Sequence, residues 1–492
     1  MLNPIKTQLT ILQQEGYSTG RFLKWWLTHP FTYFVSTKKP LALTQKVRRL
    51  MAISYILFGL LLLLSIIYKF FIVFPFSAIL FFIEPFVFLF AAILIITPFE
   101  RIHRRRTINR IRKEVLGSPD LTVIGITGSF GKTSVKDFLF TILSGYQETL
   151  KTPESYNTIF GIAKVVDFEL LKRTKFFICE MGAYICGEIA EICRMVPPKY
   201  AILTAIGTQH LERFKNIGNT TLAKFELIDA VNPSNALVNL DNTNIASWIT
   251  LPRYKNVKTY SLTNSQADYY VSGYSLSFQG LRFTLVHKDK SYSYSSSLFG
   301  TSNLYNLTAA ISMAMMLKVP NNIISQQVTK ISSSPHRLEL KKINKATLID
   351  NAFSSNEEGL TSLIHDLSKL PGKKVLITPG IVELGLRTVE VHQRIGKLAS
   401  GVFDKFILVG KSLRTLSFEQ GLLSSPVGAD PRVRPIRGNP AQEPVIPDLI
   451  GNPSGNIHVS YIPNPTNLWP LIDELSKEFD WILLENDLPD IF

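Results

Sequence analysis

Cysteine is scarce in this chain, which has three in 492 residues, at Cys179, Cys186 and Cys193. Their spacing of seven residues matches none of the close cysteine pairs that usually hold zinc. We therefore expect small buried thiols in a reducing cytoplasm rather than a metal site built from cysteine.

Acidic residues are scarce at one end of the chain. The first 116 positions hold 16 Lys and Arg but only 4 Asp and Glu, and the remaining 376 residues contribute only +3 to the formal net charge of +15. Nucleic-acid binding requires a basic face, and the sequence shows none outside the N-terminal region. Because the basic residues there surround an apolar stretch, we expect them to contact anionic membrane lipid and no nucleic acid.

Charge is absent from Met51 to Tyr68, and after Lys69 the chain stays apolar to Phe99 except at Glu84. A helix needs ~20 apolar residues to cross the hydrocarbon core of a bilayer. The stretch therefore predicts two membrane-spanning helices, at about 51–68 and 77–98. Glu84 would be either a pairing group inside the second helix or an acid near the interface.

Basic residues flank this hairpin on both sides, so the positive-inside rule predicts that both of its ends lie in the cytoplasm. The apolar run begins only after 50 residues, which argues against a cleaved signal peptide. The predicted location is the inner (cytoplasmic) cell membrane. The protein would be multi-pass, with its catalytic domains in the cytoplasm.

A glycine-rich loop follows the hairpin. The segment LTVIGIT is typical of a buried strand, and KTSVKDFLFTIL is typical of the helix after it. Glycine lets backbone N–H groups approach phosphate oxygens, a lysine reaches the β- and γ-phosphates, and a threonine hydroxyl binds Mg²⁺. The strict pattern for such a loop fails at its first position, which is Ile126. The residues predicted to bind ATP with Mg²⁺ are Gly128, Ser129, Gly131, Lys132, Thr133 and Ser134.

The form T-G-S-x-G-K-T-S over residues 127–134 resembles the Mur ligase family, which joins a carboxylate to an amine using ATP. Further segments resemble family motifs in the same order: TPESYNT at 152–158, FICEMGA at 177–183, TAIGTQHLE at 204–212 and AKFE at 223–226. A carboxylate that attacks ATP meets a highly anionic triphosphate, so cations are needed as the acyl phosphate forms.

The resemblance implies roles for individual residues in these motifs. Glu180 and His210 match Mg²⁺ ligands, and Lys224 matches a lysine that relatives carbamylate to hold a second Mg²⁺. The metal set implied is Thr133, Glu180, His210 and Lys224. The catalytic residues implied are Lys132, Glu180, His210 and Lys224. The substrate contacts implied are Thr152, Asn157 and Thr158.

Two later regions extend the resemblance. The segment from Gly300 to Ala310 resembles the family motif G-x-H-N-x-x-N-x-x-A-A, with serine in place of histidine, and implies an adenine contact at Asn306. Arg337 and Asp350 match positions that contact ATP when the C-terminal domain closes. The segment that begins at Asp350 departs from the usual D-D-S-Y-N-A-N at several places.

Buried strands alternate with helical stretches near the C-terminus, at 347–351, 374–378, 405–409 and 481–484. This alternation is typical of a Rossmann-like domain. The predicted fold class is α/β, with an N-terminal two-helix membrane hairpin, a central P-loop ATPase-like domain with a parallel sheet, and a C-terminal Rossmann-like domain. The predicted ranges of these three parts are 1–116, 117–334 and 335–492.

Aromatic residues are absent from positions 425–456, which hold seven prolines and four glycines. Such a segment cannot bury enough apolar surface to order itself. We therefore predict a disordered surface insertion here, and catalysis should survive its removal.

The segments 378–385 and 485–490 resemble the branch of the family that adds D-alanyl-D-alanine. The resemblance implies an ATP-dependent amide ligase of peptidoglycan precursor synthesis, which activates a UDP-muramyl tripeptide carboxylate as an acyl phosphate and joins it to D-Ala-D-Ala. Its partners would be a nucleotide-linked peptide precursor and an amino acid or dipeptide acceptor. Two alternatives stay open: a membrane-anchored ligase of the poly-γ-glutamate type, and a non-catalytic membrane scaffold that binds nucleotide.

Overall fold

The structure is a computed structural model. It describes residues 4–14, 16–29, 41–68, 85–153, 156–207, 214–277, 279–352, 356–382, 384–424, 458–463 and 468–485. Several features named above lie outside the described residues: Lys69, Glu84, His210, the insertion at 425–456, and parts of the predicted helix 77–98 and of the segments 152–158, 204–212, 378–385 and 485–490. The chain divides into two compact units, 1–107 and 108–492. The three-part division at residues 116 and 334 stays a prediction.

The first unit is helical. Its helices are α1 (Pro4–Gln14), α2 (Thr19–Thr28), α3 (Gln45–Ile67) and the first part of α4 (Phe86–Leu116). Thr44 caps α3, because its hydroxyl accepts a hydrogen bond from the backbone N–H of Val47 at 3.3 Å. Phe58 of α3 and Phe88 of α4 meet edge to face with 5.9 Å between ring centres, so the two long helices pack together.

Helices α3 and α4 are long and apolar enough to cross a membrane, judged by length and composition. Their most apolar 18-residue windows have mean hydropathies of 2.7 and 1.7. Only 17% and 33% of those windows are buried, whereas the core helix of a soluble protein is mostly buried. These properties are compatible with the hairpin, which stays a prediction.

The bounds of both helices differ from the predicted 51–68 and 77–98. Helix α3 begins earlier, at Gln45, because Thr44 caps it ahead of the basic residues. Helix α4 continues to Leu116 with Pro98 inside it. An apolar run indicates how much of a helix lipid can cover, and it does not indicate where the backbone hydrogen bonds stop.

The second unit alternates strands with helices. After α4, its helices are α5 (Lys132–Ser144), α6 (Ile159–Glu169), α7 (Glu188–Met195), α8 (Ile217–Asp229), α9 (Thr243–Trp248), α10 (Thr301–Met316), α11 (Asn321–Val328), α12 (Glu357–Ser368), α13 (Thr388–Ala399), α14 (Leu413–Leu423) and α15 (Trp469–Leu475). Strands β1 to β9 are Thr122–Thr127, Thr149–Lys151, Phe176–Glu180, Tyr200–Leu203, Ala236–Asn239, Lys258–Ser261, Tyr269–Ser277, Gly280–His287 and Lys290–Ser296. Strands β10 to β15 are Glu339–Ile343, Ala346–Asn351, Lys374–Thr378, Lys405–Val409, His458–Ile462 and Trp481–Glu485.

The first nine strands form one sheet, in the order β2-β3-β1-β4-β5-β6-β7-β8-β9. Neighbours from β2 to β7 run parallel, and β8 and β9 continue the sheet antiparallel. One apolar cluster joins Phe138 of α5 to Ile311 of α10, and a second joins Ile162 of α6 to Phe225 of α8. Because the carboxyl ends of parallel strands share one edge, the loops after β1, β3 and β4 come together there.

The remaining six strands form a second sheet, in the order β10-β11-β15-β12-β13-β14. Among these described strands, only β10 pairs antiparallel, with β11. One cluster contains Leu363 of α12 and Phe418 of α14, and another contains Ile472 of α15. The predicted α/β class with mostly parallel sheets is confirmed.

Candidate active site

The glycine-rich loop after β1 is bonded to the loop that follows β4. The backbone N–H of Ser129 donates to the carbonyl of Ala205 at 2.7 Å, and the Ser129 hydroxyl accepts from the N–H of Gly207 at 3.0 Å. Gly131 has a φ of +81°, in the left-handed region that favours glycine. A Cβ on Gly131 would lie 2.6 Å from Oδ1 of Asn306. The structure thus brings Gly131 and Asn306, both predicted to bind the nucleotide, into contact.

Lys132 is the first residue of α5, and its side chain turns back over this loop. Its Nζ donates to the carbonyl oxygens of Gly128 at 2.7 Å and Ser129 at 3.1 Å. Burial lowers the pKa of Lys132, the Glu180 carboxylate opposes that shift, and the positive charge of Arg337 adds to it. An ammonium group beside loop amides at a helix N-terminus lies where phosphate groups bind.

The carboxylate of Glu180, at the end of β3, connects several parts of the site. Its Oε2 accepts from the Thr133 hydroxyl at 3.0 Å and from Nζ of Lys136 at 3.2 Å, and its Oε1 accepts from Nδ2 of Asn157 at 3.2 Å. Glu180 is only 1% exposed, so these donors replace water around its charge. A carboxylate beside a threonine hydroxyl provides the hard oxygen atoms that Mg²⁺ prefers. Ser134 follows Thr133 in the first turn of α5 and is half-buried.

Lys136 is a residue of the site that the sequence reasoning missed. It lies three residues after Thr133 in α5, so the two side chains share one face of the helix. Its side chain is fully buried against Glu180. The only signal in the sequence was a lysine one turn after Lys132, in a stretch of mostly apolar residues.

The loop after β2 supports Glu180 through its backbone. Thr152 is fully buried, and its hydroxyl accepts a hydrogen bond from the N–H of Glu180 at 3.1 Å. Thr158 caps α6 by accepting from the N–H of Gly161 at 3.4 Å. Both hydroxyls therefore bond to backbone groups in this structure. The substrate contacts of Thr152, Asn157 and Thr158 stay predictions.

A cavity lies between the glycine-rich loop and α8. Lys224 of α8 is 3% exposed and lines this cavity together with Lys132. Burial and the positive charge of Lys132 lower the pKa of Lys224 to about 7, against the effect of three nearby glutamates. The described residues that line the cavity are Gly128, Ser129, Lys132, Asn157, Gly182, Ala183, Tyr184, Phe214 and Lys224. This set contains two lysines and no acidic side chain, which suits an anionic ligand.

Arg337 precedes the first strand of the C-terminal sheet, and Asp350 lies near the end of the second strand, β11. Burial lowers the pKa of Arg337, and the Glu180 carboxylate opposes that shift, so Arg337 lies within electrostatic reach of Glu180. Asp350 is fully buried at the end of β11, where its Oδ2 lies 2.9 Å from both Nδ1 of His336 and Nζ of Lys341. Contact of Arg337 and Asp350 with ATP stays a prediction.

Ligand atoms of His336, Glu339 and Asp350 lie within 4.8 Å of one another, a spacing that could hold a metal ion. Lys341 already places its ammonium group 3.2 Å from Glu339 and 2.9 Å from Asp350. The lysine thus supplies the positive charge that a metal would bring. His210 lies outside the described residues, so its role as a ligand stays a prediction.

Comparison with known proteins finds a family that resembles the central part of this chain. Residues 126–314 match the family described as the Mur ligase middle domain. Two curated relatives carry the name UDP-N-acetylmuramoyl-tripeptide–D-alanyl-D-alanine ligase. The protein of Escherichia coli K12 is 27% identical over 304 residues, covering 61% of this chain and 67% of that protein. The protein of Buchnera aphidicola is 28% identical over 301 residues, covering 58% and 64%. The chain therefore spans about two thirds of the length of these relatives.

Solved structures show the same fold. MurF from Acinetobacter baumannii superimposes with a TM-score of 0.64 at 22% identity, over 79% of this chain and 78% of that one. The MurF ligase of Thermotoga maritima, solved in complex with ADP, gives a TM-score of 0.63 at 20% identity, over 79% and 81%. At these identities the likeness shows a shared fold, and the chemistry depends on the residues described above.

Proposed function

We propose that the chain is a member of the Mur ligase family, whose middle domain matches residues 126–314, and that it is an ATP-dependent ligase that forms a C–N bond in peptidoglycan precursor synthesis. The observation that carries the proposal is the meeting of Lys132, Thr133 and Glu180 at one sheet edge, with Lys224 in the adjoining cavity. The names of the curated relatives support a UDP-muramyl tripeptide as the carboxylate substrate and D-Ala-D-Ala as the amine.

The proposed reaction has two steps. A carboxylate oxygen of the tripeptide attacks the γ-phosphorus of ATP, which gives an acyl phosphate and releases ADP. The amine of D-Ala-D-Ala then attacks the acyl carbon, an amide bond forms, and phosphate leaves with the former carboxylate oxygen. The amine gives up a proton to solvent or to a nearby base. Both steps build negative charge on phosphoryl oxygens, so cationic groups around them lower the barrier.

Lys132 provides the first of these cationic groups. Its ammonium already lies against the loop carbonyls of Gly128 and Ser129, at the N-terminus of α5. The loop amides and the helix dipole add partial positive charge at the same place. Lys132 and the loop thus bind the phosphate groups of ATP and orient the γ-phosphate toward the cavity.

Thr133 and Glu180 fit Mg²⁺ by the chemistry of their donors. The Thr133 hydroxyl and the Glu180 carboxylate lie 3.0 Å apart, and both offer oxygen ligands. When bound, the metal neutralises charge on the phosphates. The chain holds the oxygen atoms of Thr133 and Glu180 in place before ATP arrives.

The low pKa of Lys224 is compatible with the carbamylation that the family resemblance implies. A pKa of about 7 leaves a large share of its amine neutral near pH 7, and the neutral amine is the form that attacks CO₂. The product would be a carboxylate-like group in a cavity lined by Lys132. We infer that Lys224 serves the site in this form, as the family resemblance implies.

We further propose that α3 and α4 anchor the enzyme in the cytoplasmic membrane as a hairpin. Large apolar side chains on these helices are exposed, including Leu60 at 51%, Ile66 at 62% and Leu94 at 55%. Lipid would cover them, and the basic residues on both flanks would contact anionic headgroups from the cytoplasmic side.

The experiment that tests the proposal is a phosphate-release assay of the full chain in detergent, with ATP, Mg²⁺ and UDP-muramyl tripeptide. Parallel reactions receive D-Ala-D-Ala, glutamate or no acceptor, and a further reaction receives glutamate without the tripeptide. We expect turnover only with D-Ala-D-Ala. Turnover with glutamate in the absence of the tripeptide would favour the poly-γ-glutamate alternative, and no turnover with either acceptor would favour the scaffold.

A further inference from the structure

The buried contact between Lys136 and Glu180 suggests that Lys136 and Lys132, two lysines of α5, have different roles. The Lys136 side chain is 0% exposed, and its Nζ lies 3.2 Å from Oε2 of Glu180, whose side chain is 2% exposed. We propose that Lys136 is a positioning residue, which fixes the Glu180 carboxylate in the orientation that binds Mg²⁺. This inference rests on the proposed function.

The three donors around Glu180 determine which oxygen is left for a cation. An ionised carboxylate has about four acceptor positions. Lys136 and Thr133 both bond to Oε2, and Asn157 bonds to Oε1. Among the described residues, these three hydrogen bonds leave the second acceptor position of Oε1 for a metal ion.

Lys136 also provides the counter-charge for the buried Glu180 carboxylate. A buried carboxylate without a counter-charge is unstable, and removing one partner of a buried ion pair leaves such a charge behind. Lys132, Lys224 and Arg337 interact electrostatically with Glu180. Lys136 donates a hydrogen bond directly to its carboxylate.

Lys132 and Lys136 lie one helical turn apart and bond to different groups. Lys132 bonds to the loop carbonyls of Gly128 and Ser129, whereas Lys136 bonds to Glu180. Lys132 can therefore turn toward a phosphate while Glu180 keeps its counter-charge. This arrangement keeps the metal ligand in place throughout the binding of ATP.

The test measures the affinity of the detergent-solubilised full chain for a non-hydrolysable ATP analogue by calorimetry, with Mg²⁺ and with EDTA. In Lys136→Met, we expect the gain in affinity that Mg²⁺ provides to fall by about tenfold or more, the usual effect of losing a group that orients a metal ligand. Affinity in EDTA should not change. A purely structural role for Lys136 would lower both affinities together and would overturn the proposal.

Two further variants show whether Lys136 acts through Glu180. In a Glu180→Gln background, Lys136→Met should cause no additional loss of the Mg²⁺-dependent gain. An additional loss would contradict the proposed route. The matched control is Lys151→Met, which removes a lysine bonded at 2.7 Å to Asp137 of the same helix and should leave the gain unchanged.

The wild-type titration separates this inference from the function on which it rests. Wild-type protein that gains no affinity from Mg²⁺ would overturn both proposals. A wild-type gain that Lys136→Met retains would overturn only the role of Lys136. If Lys136→Met does not fold, Lys136→Gln is measured in its place, with the same loss expected because the amide carries no charge.

Discussion

The Nζ of Lys132 lies 2.7 Å from the carbonyl oxygen of Gly128, so the lysine is bonded to the loop that precedes its own helix. A carbonyl is a weaker partner for an ammonium group than a phosphate oxygen, because an ionised acceptor makes the stronger hydrogen bond. The side chain is thus held close to the place where the phosphates would bind. Little reordering is needed when ATP enters.

The first expected outcome concerns this lysine. Lys132→Ala should lower the rate of ATP-dependent ligation by roughly 100-fold or more, the usual scale for removing a donor aimed at developing charge. Phosphate release measures the rate, and thermal unfolding should show that the variant stays folded. Lys175→Ala, which removes a surface lysine paired with Asp120, is the matched control and should retain activity. An active Lys132→Ala variant would remove Lys132 from the mechanism.

The second expected outcome concerns the shape of the loop. An alanine at a left-handed position costs ~1–2 kcal/mol in backbone strain. Gly187→Ala should show only this loss of stability, because Gly187 has a φ of +95° and a Cβ added there would meet no atom of the described residues within 4 Å. Gly131→Ala should lose more, because its Cβ would lie 2.6 Å from Oδ1 of Asn306.

Thermal unfolding and ATP affinity distinguish these two glycine variants. Gly131→Ala should bind ATP more weakly, and adding Asn306→Ala should recover part of the lost stability. Equal losses in Gly131→Ala and Gly187→Ala would show that the contact with Asn306 does not constrain the loop.

Much of the fold could be predicted from local pattern. Strand β1 and helix α5 follow from a buried apolar run, a glycine-rich loop and a helix-forming segment. The C-terminal strands at Lys374–Thr378 and Lys405–Val409 match their predicted bounds because they are apolar and flanked by polar residues. Local apolar pattern determines such buried strands directly.

Other features depend on contacts between distant residues. The burial of Lys136 depends on Glu180, which lies 44 positions later, and no local pattern encodes that pairing. The same holds for Asp350, whose carboxylate bonds to His336 and Lys341. The antiparallel strands β8 and β9, which extend the central sheet, were also not predicted.

The third expected outcome concerns pH and His392 of α13. This histidine is fully buried, and its Nε2 accepts the backbone N–H of Ile381 at 2.9 Å while its Nδ1 bonds to the carbonyl of Thr388. Burial lowers the pKa of His392, and the positive charge of Arg414 adds to the shift. Below about pH 6.5, His392 therefore binds a proton in the unfolded chain but not in the folded chain.

Stability should therefore fall as the pH drops below about 6.5, by up to ~1.4 kcal/mol per pH unit from this residue. Thermal unfolding of wild type and His392→Gln across pH 5 to 8 measures the effect. The stability advantage of the wild type should shrink on the acid side. His458→Gln, which changes an exposed histidine, should keep the wild-type pH dependence. A constant difference between wild type and His392→Gln would contradict this account.

The fourth expected outcome concerns membrane attachment. The full chain should stay in the membrane fraction after washing with high salt and alkaline carbonate, because buried apolar helices do not leave the bilayer under these conditions. A chain that begins at residue 108 should be soluble, since Ile111 and Val115 remain to pack in the core of the second unit. Release of the full chain by the alkaline wash would contradict the spanning hairpin.

The measurement that tests the central claim most directly follows an oxygen atom. UDP-muramyl tripeptide labelled with ¹⁸O in its reactive carboxylate is incubated with the full chain, ATP, Mg²⁺ and D-Ala-D-Ala, and mass spectrometry is applied to the phosphate and the peptide product. Activation through an acyl phosphate predicts one ¹⁸O atom in the phosphate for each amide bond formed. Unlabelled phosphate, or phosphate release without a pentapeptide product, would contradict the account.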